Sequence, residues 1–205
     1  MNGVAEKVQK TQKELSVITE NLKTLILNFK KCDEAIEKIK RLKTKLDSPP
    51  TKNISDLSQA REKVVNSAKK FAFSTQKLQT TAKKSPEDLS DPAFSMSENL
   101  EILLGDVCSS LSFVDKNLQK EIISNFSNLL DESINFIQSS KKLAQQKNSQ
   151  NLQDLSVDFQ NITHFLGFVV SSVKLIFFQF FFFKKMIIQI MTTDQKRIIG
   201  RKRMQ

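Results

Sequence analysis

An apolar seam with alternating four- and three-residue spacing runs from Val4 to Leu46, and no glycine or proline interrupts it. Its period of 3.5 residues places the side chains on one stripe of a helix. Such a helix would be roughly 63 Å long at 1.5 Å per residue. Asp47-Ser48-Pro49-Pro50 ends it, because proline cannot continue the backbone hydrogen-bond ladder. This heptad seam consists of Val4, Val8, Thr11, Leu15, Ile18, Leu22, Leu25, Phe29, Cys32, Ile36, Ile39, Lys43 and Leu46.

Four further segments have a helical apolar period, covering about Ser55–Lys83, Ala93–Val114, Asp115–Gln146 and Leu152–Val173. Only four glycines and four prolines occur in the chain, so it lacks the turn residues of a sandwich, barrel or βαβ fold. We predict an all-α fold, an up-and-down bundle of four or five helices with a long, heptad-patterned first helix. The predicted inward-facing residues are Ile54, Leu57, Val64, Ala68, Phe71, Thr75, Leu78 and Ala82, then Phe94, Leu100, Leu103, Leu104, Val107 and Leu111, then Leu118, Ile122, Phe126, Leu129, Leu130, Ile134 and Ile137, and finally Leu152, Leu155, Phe159, Ile162, Leu166, Val169 and Val173.

Turn residues mark the connections between these helices. Ser85-Pro86-Glu87-Asp88 is typical of a helix start, since serine caps, proline suits the first helical position and acidic residues favour the positive helix end. Asp91-Pro92 repeats this signal one turn later, which leaves two possible starts for the third helix. Asp115 is a candidate N-cap of the fourth helix, although no strong breaker precedes it and a continuous helix is the alternative. Asn148-Ser149 marks the last turn.

The chain divides into a long N-terminal helix (1–48), a bundle that continues with it (54–173) and a tail (174–205) that is rich in phenylalanine and then basic. The tail holds eight basic residues and one acidic residue, so +7 of the formal net charge of +10 lies there and +3 in the first 173 residues. A basicity that comes mostly from a tail does not indicate nucleic-acid binding by the bundle. We therefore expect no nucleic-acid partner.

Three hypotheses account for the tail. The first is membrane association through Leu175–Met191. A bilayer span needs about 20 apolar residues, whereas the run Leu175–Phe183 has nine residues including Gln179, so the insertion would be tilted or interfacial. The second is a buried helix with a solvated basic end. The third is translation of an unspliced, AT-rich intron. Val173-Lys174 can be encoded by GTAAAA or GTAAAG, which would begin with an intron donor site, and the heptad pattern stops at the same place. Sequencing the transcript tests this hypothesis.

The residues that usually carry catalysis or bind metals do not converge in this sequence. His164 is the one histidine, and a lone helical histidine is typical of a structural role. Cys32 and Cys108 lie far apart at apolar helix positions, which predicts buried, reduced thiols. The sequence has no GxGxxG or GxxxxGK[ST] phosphate-binding loop, no HExxH motif and no EF-hand loop. We expect a protein that is not an enzyme and that has no catalytic residue, cofactor or metal.

Two segments resemble helices of the talin rod. Residues 60–84 combine an apolar pair and small residues with Ala-Lys, then Ser-Thr and Leu, and end in Ala-Lys-Lys. Residues 129–144 are similar, and Ser85–Leu89 resembles the short linkers between such helices. The resemblance covers roughly residues 55–170 and extends to vinculin and catenin bundles. The chain departs from talin rods in its lower alanine content and longer first helix.

The resemblance implies a four- or five-helix bundle in a cytoskeletal linker or adaptor that binds actin filaments or another cytoskeletal protein. Such a bundle offers the buried face of a helix to a partner, often after mechanical opening. The candidate recognition stripes are Ile54–Ala82 and Leu129–Ile137, and the simpler interpretation is that both are ordinary bundle core. No individual actin-binding residue carries over, so the partner-binding residues are unassigned.

Two other classes of function stay open. The first is a coiled-coil subunit of a trafficking or scaffold assembly, in which the heptad seam self-associates or joins another chain. The second is a helical protein anchored to a membrane by its C-terminal tail. The polar start of the chain, Met1–Lys7, has no apolar signal region, which predicts a cytoplasmic, cytoskeleton-associated protein.

Overall fold

The computed structural model describes the backbone of residues 2–46 and 57–202 and the side chains of residues 4–46 and 58–175. Within these ranges the chain forms five α-helices and no strand, which confirms the predicted all-α bundle. The helices are α1 (Asn2–Leu46), α2 (Leu57–Lys84), α3 (Ser90–Ser110), α4 (Lys116–Gln145) and α5 (Ser149–Lys202), with 3-10 turns at Pro86–Asp88 and Leu111–Phe113. The predicted turn at residues 47–50 and the predicted core residue Ile54 lie outside the described residues.

The helices are arranged as a ring of neighbours. α2 packs against α3 and α4 against α5, α1 lies between α3 and α4, and α5 closes the ring against α2. The ion pairs Lys141–Asp33 and Lys43–Asp131 place α1 antiparallel to α4. Successive helices therefore alternate in direction. The C-terminal half of α1 forms part of this ring. Its N-terminal half extends past the end of the bundle that holds the α2–α3 and α4–α5 connections.

One connected apolar core fills the ring. It includes the second half of the heptad seam, widened by Ala35 and Leu42 on the same side of α1. Small hydroxyl residues let the helices approach closely, and most of the buried hydroxyls donate a hydrogen bond to a carbonyl of their own helix, as Ser67, Thr75 and Ser133 do. No described buried side-chain polar atom lacks a partner, so this core avoids the cost of unsatisfied polar groups.

Most of the predicted inward-facing residues are buried, but Phe94 was predicted wrongly. Its side chain is 42% exposed, and the Lys38 ammonium lies 5.2 Å from its ring centroid. Phe136, which the sequence pattern did not select, is fully buried instead and its ring centroid lies 6.0 Å from that of Phe159. The buried face of α4 is wider than the predicted stripe and includes positions that face α5, because α4 packs against both α1 and α5.

Asp115 caps α4 as predicted, since its carboxylate accepts hydrogen bonds from the backbone amides of Asn117 (2.9 Å) and Leu118 (3.1 Å). α3 and α4 are separate, so the continuous-helix alternative is wrong. α3 ends at Ser110 instead of Val114, because the chain tightens into the 3-10 turn and Val114 is extended. α3 begins at Ser90, earlier than predicted, and Ser85 makes no side-chain cap hydrogen bond.

The change in composition at Val173 does not end the last helix. The backbone of α5 is helical to Lys202, and Val173 is the last buried residue among the described side chains. The side chains after Leu175 lie outside the described residues. The three hypotheses for the tail therefore stay predictions.

Candidate interaction surface

The N-terminal half of α1 presents an apolar stripe that no other part of the described chain covers. We call residues 4–27 the arm. Every side chain from Val4 to Thr24 is exposed, and the apolar seam residues among them range from 52% exposure at Val8 to 71% at Val4. The exposed large apolar residues of the arm are Val4, Val8, Leu15, Val17, Ile18, Leu22, Ile26 and Leu27.

The bundle begins at the end of the arm. Leu25 and Phe29 are half-buried and Cys32 is buried. The Asn28 side-chain amide donates to the Glu87 carbonyl, and the Lys141 ammonium lies 5.6 Å from the Phe29 ring centroid. From this point the seam faces α3 and α4, so one continuous stripe is half covered and half bare.

Salt bridges fix the covered half of α1 against its neighbours. Lys38 and Lys45 lie 3.2 and 3.0 Å from the Glu101 carboxylate, and hydrogen bonding from Lys45 is the largest cause that holds the pKa of Glu101 below its usual value. Lys43, the charged seam position, binds Asp131 at 2.6 Å. These partly exposed pairs contribute little energy, but they define the orientation of α1.

The arm itself is held only by interactions within its own helix, among the contacts described. Lys10 pairs with Glu14 at 4.0 Å and Lys23 with Glu20 at 3.6 Å, and such exposed pairs are worth about 0.3–0.5 kcal/mol each. Covering a Val, Leu or Ile that is more than half exposed would contribute about 1 kcal/mol per residue. A partner on the stripe would therefore stabilise the arm more than its own side-chain pairs do.

The residues that flank the stripe are mostly neutral. They are Ala5, Gln12, Thr19 and Ile26 on one side and Lys7, Glu14, Asn21 and Asn28 on the other. In coiled coils these flanking positions select the partner and its orientation through their charges. This surface thus admits a second helix along most of its length, and Lys7 and Glu14 are the charges that distinguish one alignment from another.

The two stripes proposed from sequence as recognition faces are not accessible in this structure. Val64, Phe71, Leu78 and Ala82 of the first stripe are buried, and so are Leu129, Leu130 and Ile137 of the second. Both therefore form bundle core here. The sequence predicted the heptad seam as a whole but gave no assignment of the arm as the exposed part. The signal available was the additional apolar residues off the seam, Val17, Ile26 and Leu27, which a helix packed on one side does not need.

A groove of about 310 Å³ between α4 and α5 is lined by amide and charged side chains, including Asn135, Lys142 and Asp154. At its edge the Ser139 hydroxyl donates to Asp158 at 2.6 Å. Burial raises the pKa of Asp158, and the Ser139 hydrogen bond opposes that rise. The lining residues include no histidine, so this groove lacks the base that most often activates a serine hydroxyl.

The cysteines and the histidine are where the sequence placed them, on helices and apart. Cys32 and Cys108 are buried free thiols, and burial raises the pKa of each to about 11. A thiol that stays protonated at neutral pH is a poor nucleophile. His164 is exposed on α5 and stacks edge-on against Phe168, with ring centroids 4.7 Å apart. Within the described part of the chain, no group of three or more metal-ligating side chains comes together.

No protein-family model matches the sequence, and no curated protein matches it. Among the described residues, none of the helices combines the length and apolar character that crossing a bilayer requires.

Proposed function

We propose that this protein is a non-enzymatic scaffold or adaptor subunit that binds a partner helix through the exposed seam of the arm. The observation that carries the proposal is the seam itself, which is continuous along α1, is buried from Cys32 onward at every position but Lys43, and is bare from Val4 to Leu22. A helix packed against the arm would cover the seam there, as α3 and α4 cover it further along α1.

The apolar area favours this function over a solvated spacer. A helix that only bridges solvent is expected to be polar all round, whereas the arm carries eight exposed large apolar residues. Covering the five on the seam would contribute roughly 5 kcal/mol before the entropic cost of association. That cost is of similar size, so the affinity would depend on how well the flanking residues match.

Site-specific photo-crosslinking in cells tests this function. A photoreactive amino acid at Ile18, on the seam, should give a discrete adduct with one polypeptide. The same group at Gln9, on the outer face of the arm, is the matched control and should give little adduct. The adduct should disappear when Leu15→Glu is added to the Ile18 probe, because a charge would then have to be buried. Equal or absent adducts at the two positions would contradict the proposal.

A cytoskeletal linker of the talin type is the second candidate. It is supported by the resemblance of residues 60–84 and 129–144 and by the burial of both candidate stripes, which such a linker would release on opening. Co-sedimentation of the full chain with actin filaments tests it. Binding that survives Leu15→Glu would favour this candidate over the arm.

A further inference from the structure

We propose that the helix covering the arm is the arm of a second copy of this chain, running antiparallel, with Leu15 of one copy facing Ile18 of the other. This inference rests on the proposed function and names the partner. It follows from three features of the described residues: the space beside the seam, the charges that flank it, and the acidic turn at the end of the bundle.

The space beside the seam excludes a parallel, in-register pair. A parallel second α1 that follows the seam would meet the bundle at Cys32, because Cys32, Ile36 and Ile39 already face α3 and α4. Leu25 and Phe29 are only half-buried, so a second helix can reach the seam as far as Phe29. An antiparallel copy that covers the seam from Val4 to Phe29 avoids the collision, since the half of its α1 that packs in its own bundle lies beyond the far end of the arm.

Among the antiparallel alignments that keep the apolar positions facing each other, two form at least six layers and stop short of the buried Cys32. In the first, Leu15 faces Thr11 and six layers form. That alignment also brings Glu14 of the two copies together at the two-fold axis, which is a like-charge contact. It leaves Leu25 without a layer, so it buries less of the stripe.

In the second alignment Leu15 faces Ile18 of the second copy, and eight layers form over 26 residues, a length of roughly 39 Å. Its four distinct layers, each made twice by symmetry, are Val4–Phe29, Val8–Leu25, Thr11–Leu22 and Leu15–Ile18. Glu14 now lies beside Asn21 and Ile26 beside Ala5 of the second copy. The second alignment therefore buries more apolar surface and has no like-charge contact at the flanking positions.

The acidic turn supplies the charge complement at each end. In the second alignment Lys7 lies beside Asn28 of the second copy, and the Asn28 amide binds the Glu87 carbonyl within each chain. The side chains of Glu87 and Asp88 are exposed at that point. The lysine of one copy thus approaches the two carboxylates of the other, at both ends of the pair.

Disulfide trapping of variants that each carry one added cysteine tests the orientation and the alignment. Leu15→Cys mixed with Ile18→Cys should form a cross-linked dimer under a mild oxidant, and neither variant should cross-link by itself. Leu22→Cys with Thr11→Cys should do the same. All four positions are exposed in the single chain, so the substitutions leave the bundle folded. The unsubstituted chain is the control for its buried thiols, Cys32 and Cys108.

The other outcomes overturn the inference in distinct ways. Cross-linking of Leu15→Cys with itself means a parallel pair, and cross-linking with Thr11→Cys means the first alignment. A monomer mass by light scattering, with an Ile18 photo-adduct to a different polypeptide, removes the second copy but keeps the proposed function. A monomer without an adduct removes both.

Charge reversal tests the contact with the acidic turn. Lys7→Glu should weaken the dimer about two- to tenfold, because the variant loses an exposed pair of charges at each of the two ends. Adding Glu87→Lys to Lys7→Glu should restore most of the affinity, whereas Glu87→Lys by itself should weaken it. Sedimentation equilibrium measures the dissociation constants. Equal dissociation constants for all three variants and the unsubstituted chain would overturn the assigned alignment.

Discussion

Asp158 is held where its charged form is less stable than in water. Burial raises its pKa, with Glu132 and Asp154 adding to the rise, while the Ser139 hydroxyl and Lys142 oppose it. Since the pKa is higher in the folded than in the unfolded chain, the folded state is favoured when the group is protonated. The stability linked to Asp158 is therefore present at acidic pH and is lost as pH rises through the raised folded pKa.

Asp158→Asn should remove this loss of folding stability at rising pH. The asparagine Oδ1 still accepts from Ser139, and no charge has to be buried, so the variant should equal or exceed the unsubstituted chain in stability at pH 7, by less than about 1 kcal/mol. Ser139→Ala should act in the opposite direction, because the carboxylate loses its donor. Urea unfolding between pH 4 and 8 measures both. A lower stability of Asp158→Asn at every pH would contradict the account.

At the level of single residues, sequence periodicity identified most of the buried positions. It selected Phe71, Leu78 and Leu100, which are all fully buried. It failed at Phe94 in α3 and Phe136 in α4, because a heptad pattern assumes one neighbouring helix, whereas α3 and α4 each pack against more than one. The Ser139–Asp158 contact joins two helices, and no spacing within one segment predicts such a pair.

The two faces of α2 provide a matched test at the level of the element. Phe71 is fully buried and Phe73, two positions along, is 71% exposed. Phe71→Ala should lower the free energy of unfolding by about 3–5 kcal/mol, through lost burial and the cavity left behind. Phe73→Ala removes the same atoms from the surface and should change it by less than about 0.5 kcal/mol. Chemical unfolding compares them, and similar losses would mean that α2 is rotated relative to this structure.

One heptad pattern runs along α1, but half of the helix is covered by the bundle and the other half is exposed. The heptad seam predicted one long helix, and α1 does run unbroken from Asn2 to Leu46. It did not predict which half would be covered, because a heptad repeat has the same form whether the partner helix belongs to the same chain or to another. The candidate interaction surface thus became visible only when the rest of the bundle was in place.

The break between α3 and α4 was predicted from the Asp115 cap and not from periodicity. Apolar residues continue through Leu111, Phe113 and Val114, so the pattern contains no interruption. The turn depends instead on the N-cap at Asp115, whose carboxylate binds two amides of the first turn of α4. A single cap residue competes with continuation of the helix, and only the folded arrangement decides between them.

For the whole molecule, the structure predicts that the bundle folds without the arm. Deleting residues 2–24 should change the midpoint of thermal unfolding by no more than about 4 °C, since their described side chains are exposed. The control is Ile39→Ala, on the same seam but fully buried, which should cost about 2–5 kcal/mol. Calorimetry of both variants at low protein concentration is the measurement. Loss of cooperative unfolding in the deletion variant would show that the arm is part of the folding unit.

The division of α1 into a covered and a bare half has a consequence for inheritance. A change at Ile36 or Ile39 disturbs the core and is removed by selection for folding. A change at Leu15 or Ile18, which are exposed, should leave the bundle intact and alter only the proposed binding surface of the arm. We therefore expect substitutions that change the proposed partner to be tolerated within the few turns of the arm, whereas the need to fold limits substitutions in the covered half of α1.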